Sequence, residues 1–145
     1  MEKEKVEINV LDELNKGACM GRDAIYFVMD KVEDEDLKGE LKYQHGEYKK
    51  IIDKISELYP EYSSKEPHET NGMEKVMTWY GISIRTMVDD STSKIAEMIL
   101  KGLNMGIIEG KKLLNHKDTD AEVEKIINDF VNMQEKAVER LKEFL

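Results

Sequence analysis

The side chains best suited to chemistry in this sequence are its three histidines, His45, His68 and His116, and the acids near them. A carboxylate-bridged metal pair inside a helical bundle takes a Glu from each of two helices and a Glu-x-x-His from each of the other two. The spacing matters because residues three apart share a helix face and reach the same ion. Three residues ahead of the histidines stand Lys42, Lys65 and Leu113, so the chain has no Glu-x-x-His. His45 and Glu47 are two apart, which turns them to different helix faces. That triplet matches the His-x-Glu of zinc deaminases, but the Pro-Cys-x-x-Cys such a site also needs is absent. His45, Glu47 and Glu97 are the candidates for a nonstandard metal site, and they make a weak set. Cys19, the sole cysteine, has no histidine at a useful spacing and reads as a small core residue. There is no Gly-x-x-x-x-Gly-Lys to cradle a phosphate. No catalytic residue and no cofactor is expected.

The elements that position these residues are helices. Leu11, Leu14, Ala18, Gly21, Ile25, Val28 and Val32 recur at helical spacing and predict a helix over 9–32, with residues 1–6 disordered ahead of it. Asp34 is suited to cap a second helix, whose inner face carries Leu37, Leu41, Gln44, Tyr48, Ile51, Ile55 and Leu58. Pro60 ends it, and residues 60–71 read as a loop. Asn71 and Glu74 fit a capping box for a short helix bearing Met73, Val76, Met77, Tyr80, Ile84, Met87 and Val88. After caps offered by residues 89–93, a third long helix over 92–115 is apolar nearly all round, so burial on more than one side is expected. Thr119 and Glu122 form a second capping box. The last helix then turns Val123, Ile127, Phe130, Gln134, Ala137, Leu141 and Phe144 inward. The whole chain, 1–145, reads as one all-α domain. Its long middle connection, spanned by a short helix, is a crossover that returns the chain to its starting end before helix three.

Two inner-face residues are polar. Gln44 and Gln134 stand where a bundle would place metal ligands, but a neutral amide does not compensate metal charge as a carboxylate does. They mark either a degenerate metal site or small polar pocket, or a structural network with a tyrosine such as Tyr26 or Tyr80. Glycines in helix interiors cost about 1 kcal/mol each, so those retained here have a packing reason. Gly17 and Gly21, and Gly102, Gly106 and Gly110, form stripes with a period of four. Such stripes either dock helices closely, within the chain or between subunits, or make room for bulky neighbours such as Met, Tyr or Trp79. Trp79 is either a cap on the bundle or an interface anchor, and the cap is the favoured reading. The nine methionines are read as core filler.

A net charge of -9 disfavours nucleic acid as a partner. No segment approaches the roughly 20 apolar residues of a membrane span, and the first residues lack a signal peptide's apolar stretch. With one cysteine, a cytoplasmic location is expected.

Met77-Thr-Trp-Tyr-Gly-Ile82, Asp90-Ser-Thr-Ser-Lys-Ile-Ala-Glu-Met98 and Gly102-Leu-Asn-Met-Gly106 stand in the middle of the chain, and Leu11-Asp-Glu-Leu-Asn-Lys-Gly17 near its front. Through these packing motifs, over about 9–145, the chain resembles a bacterial ferritin-like family of unknown function. The resemblance implies an antiparallel ferritin-like four-helix bundle with a helical crossover between helices two and three. It implies no activity. The expectation is a non-enzymatic bundle with a structural or protein-interaction role, a homo-oligomer with a dimer favoured. The alternative is a metal- or stress-related binding protein built on a nonstandard carboxylate site.

Overall fold

The computed structural model describes residues 2–64, 81–83 and 87–145, with side chains from Lys5 onward. The described residues are helical, without strands. Four long helices carry the structure: α1 (Glu2–Met29), α2 (Glu35–Leu58), α3 (Thr92–His116) and α4 (Ala121–Leu141). Short 3-10 turns follow α2 at Tyr59–Glu61 and α4 at Lys142–Phe144.

Periodicity decides which faces meet. The buried residues of α2 are Leu37, Leu41, Gln44, Tyr48, Ile51, Ile55 and Leu58, the stripe its sequence spacing predicts. Leu11, Leu14, Ala18, Ile25, Val28 and Val32 supply the α1 side of the core, and Val123, Ile127, Phe130, Ala137 and Leu141 the α4 side. Each buried Leu, Ile or Phe contributes roughly 1.5–3 kcal/mol by leaving water. The ends are fixed by polar atoms. Asp34 caps α2 by accepting from the Leu37 amide at 2.8 Å, and Ser91 caps α3 by accepting from the Lys94 amide at 3.4 Å.

The direction of each helix follows from cross-helix pairs. Asp12 meets Tyr59, and Gly21 meets the Tyr48 ring, so α1 and α2 are antiparallel. Lys54 pairs with Asp129, Tyr48 with Gln134 and Glu40 with Arg140, so α2 and α4 are antiparallel. Gly110 meets Val131 and Gly106 meets Gln134, which sets α3 against α4. Hence α2 and α3 run parallel. α2 ends beside the start of α1, whereas α3 begins at the far end, an arrangement that calls for the long connection expected from the sequence.

Three expectations are corrected. The first helix starts at Glu2, not Asn9, and residues 2–6 are helical: Val6 packs on the core and Glu7 is fully buried. The last helix is not capped by Thr119 and Glu122. Its N-cap is Asp120, whose own side chain makes no cap bond; its amide donates instead to both carboxylate oxygens of Glu7 at 3.2 Å. A buried acid from α1 thus satisfies the positive end of α4. Third, α3 is not buried all round. Ile95, Ala96, Ile99, Leu103 and Gly110 face inward, but Met105 and Ile108 are each 53% exposed. Met87 packs against the core, while Val88 is fully exposed. The Asn71–Glu74 cap, Trp79, Tyr80 and His68 lie outside the described residues.

Candidate functional site

Where the four helices pass the middle of the core, two opposite seams differ. α2 and α4 are closed by large side chains: Tyr48 and Phe130 pack with ring centroids 6.5 Å apart. α1 and α3, opposite them, present glycines. A methyl group added at Gly17 would lie 3.0 Å from Cζ of Phe130. Added at Gly21 it would strike the Tyr48 ring, at Gly106 the Gln134 amide, and at Gly110 the Val131 side chain. Gly17, Gly21, Gly106 and Gly110 thus leave room for the large residues of α2 and α4.

Because glycines on both helices cannot fill the seam between them, a cavity of about 260 Å³ remains. Gly17, Gly21, Gly102, Gly106 and Gly110 all line it, with Met20, Ala24, Ile25, Ile99, Leu103 and Leu113. Its floor is Tyr48, Phe130, Gln44 and Gln134. Glu13, Met105 and Glu109 line it while remaining exposed, and Lys16 is half-buried, so these residues form the rim.

The polar floor has a defined order. Gln134 is 1% exposed; its Nε2 donates to the Phe130 carbonyl at 3.2 Å, and its Oε1 accepts from the Tyr48 hydroxyl at 3.3 Å. Gln44 is fully buried, and its Nε2 donates to Glu40 Oε1 at 3.0 Å. Glu40 is itself held by Nε of Arg140, which donates to both its oxygens at 2.7 and 2.9 Å. A carboxylate only accepts, so the Gln44 amide nitrogen must face Glu40. That fixes the flip and leaves Gln44 Oε1 buried with no hydrogen-bond partner among the described residues.

The tyrosine that meets a core glutamine is thus Tyr48, not Tyr26, which is 72% exposed. The signal was present in the sequence, since Tyr48 shares the inner stripe of α2 with Gln44, one turn on. Glu7 was also legible in principle: it stands four residues before Leu11 and seven before Leu14, on the buried stripe.

The metal candidates are not brought together. Glu47 pairs with Lys50 at 3.6 Å on the flank of α2, and Glu97 pairs with Lys94 at 3.1 Å on the exposed side of α3. His45 is half-buried, and desolvation, then the charges of Lys49 and Arg22, lower its pKa. A neutral imidazole can bind metal, but no cluster of three or more His, Cys, Asp or Glu suited to an ion exists among the described residues. Two amides, a tyrosine and apolar walls do not supply the charge a di-iron centre requires. His116, at the end of α3, is exposed. Cys19 is buried, as its sequence context suggests. Of the methionines, Met20 lines the cavity, Met29, Met98 and Met133 pack partly buried against the core, and Met105 is exposed. No helix among the described residues is long and apolar enough to cross a membrane.

Comparison with known proteins returned no matching family model, curated protein or solved structure.

Proposed function

We propose that this chain is a ferritin-like four-helix bundle that works by binding rather than by catalysis, with a small-molecule pocket where such a bundle would carry its metals. The observation that supports this reading is the glycine-lined cavity between α1 and α3, about 260 Å³ in volume, floored by two buried amides. Ligand sites are characteristically apolar concavities with a few placed polar groups. An apolar cavity of ~150 Å³ suffices for benzene. The parallel course of α2 and α3 supports the ferritin-like part of the reading, since that topology needs a crossover.

Titration with benzene, followed by ligand-observed NMR, tests the binding function. Saturable binding at one site is expected, together with no stoichiometric metal in elemental analysis of the purified protein. Absence of benzene binding, or stoichiometric iron, manganese or zinc, would overturn the proposal in favour of the metal-binding alternative.

Self-association is a second reading, favoured by Met105 and Ile108 of α3, each 53% exposed, and by Tyr26 on α1. A dimer covering these residues is proposed, in the cytoplasm. Light scattering across a concentration series checks it; a monomeric mass at the highest concentration excludes it.

A further inference from the structure

We propose that the pocket selects neutral molecules of about two fused rings that carry one N–H or O–H donor, and that this donor is received by Gln44 Oε1. The inference rests on the pocket reading above and adds the chemistry of what fills it.

Two independent observations meet at Gln44. The first is the cavity itself, whose walls are glycine and aliphatic carbon and which exceeds the ~150 Å³ that accommodates a single benzene ring. The second is that Gln44, a residue of its lining, carries a fully buried acceptor with no hydrogen-bond partner among the described residues. A buried polar atom without a hydrogen bond is costly, and native interiors rarely retain one. Gln44 cannot relieve this by turning its amide over, because Glu40, pinned by Arg140, accepts from its nitrogen. The other floor amide, Gln134, is by contrast engaged at both ends, by Tyr48 and by the Phe130 carbonyl. Among the described residues the lining thus carries one buried side-chain acceptor with an open valence, and a ligand that reaches it as the Gln44 amide gives way must bring a donor.

Charge narrows the class. Glu40 stands behind Gln44, and Glu13 and Glu109 stand at the rim, against Lys16 as its one cation among the described residues. An anionic ligand would lose its hydration on entering an apolar cavity and meet no cation at the floor. A neutral ring system bearing a donor loses little hydration and gains a bond to an acceptor already stripped of water.

Indole and indene share a shape and differ in the N–H, so they separate the pocket from its acceptor. Their affinities are measured for the native protein and for Gln44→Leu, with the N–H proton of bound ¹⁵N-indole followed by NMR. Comparing the ratio of the two affinities between proteins cancels the difference in ligand hydration. The expected result is a downfield shift of the indole N–H on binding and an indole-to-indene ratio that falls on the order of tenfold in Gln44→Leu. An unchanged ratio, with both ligands still bound, overturns the donor inference and leaves the pocket standing. Failure of indole, indene and benzene alike to bind the native protein overturns both. If Gln44→Leu does not fold, Gln44→Met and the N–H shift in the native protein decide the matter, and an unshifted proton counts against the inference.

Discussion

A single methyl group is expected to be felt most at Gly21 and Gly106. A Cβ at Gly21 has no way past the Tyr48 ring, which is buried and closed in by Phe130. Gly21→Ala should therefore cost about 1–3 kcal/mol by overpacking, less the roughly 1 kcal/mol that alanine gains over glycine in a helix. Gly39, whose Cβ would meet nothing within 4 Å, should behave oppositely and gain up to about 1 kcal/mol as alanine. Urea denaturation of the two variants reads both signs. Tyr59 offers a different test. It is 2% exposed and donates to Asp12 at 2.9 Å; burial first, then that bond and the Asp12 charge, push its pKa up to about 12 from 10.0. Tyr62 shifts in the same direction through burial and Asp120. An acid whose folded pKa is raised stabilises the fold fully below its unfolded pKa and loses that contribution as pH rises through the folded value. Stability should therefore decline between pH 10 and about 12. Tyr59→Phe should shallow that decline and cost about 1.5–3 kcal/mol at neutral pH, the range for a hydrogen bond to a charged partner. Denaturant midpoints across alkaline pH check both.

At the scale of the helix, α4 depends on an acid from another element. The Asp120 carboxylate accepts from the Tyr62 hydroxyl at 2.8 Å instead of capping its own helix, and the Asp120 amide donates to Glu7. Glu7→Ala is expected to destabilise by about 1–2 kcal/mol, as loss of an N-cap does, and to speed amide exchange in the first turn of α4. Unaltered exchange there would mean that Glu7 does not hold the cap. This cap also shows where sequence reading stopped. Local signals worked: Asp34 was legible as a cap because its partner amide is three residues away, and the α2 stripe was legible because a 3.6-residue period needs no knowledge of neighbours. Glu7 and Asp120 are joined by the packing of α1 against α4, and nothing local to residues 119–122 betrays it. The fully apolar look of α3 misled in the same way. Composition says that Met105 and Ile108 prefer burial, but only the placement of α1 and α4 decides that neither helix covers them.

For the molecule as a whole, the candidate site is a property of spacing between helices. Each glycine stripe was visible, as were Gln44 and Gln134, yet the register that sets Gly106 opposite Gln134 and Gly21 opposite Tyr48 is a tertiary fact. Two stripes that docked on each other would leave no interior space. Two stripes that admit large residues from the opposite helices leave the gap between α1 and α3. Ligand binding in this bundle requires that gap to be open and apolar. Diffraction from crystals held under xenon tests it directly, because xenon enters apolar cavities of this size by dispersion alone. A xenon peak between α1 and α3, bounded by Gly21, Gly106 and Tyr48, is expected. Density there coordinated by several acidic oxygens, or side chains closed across the seam with no xenon, would contradict it.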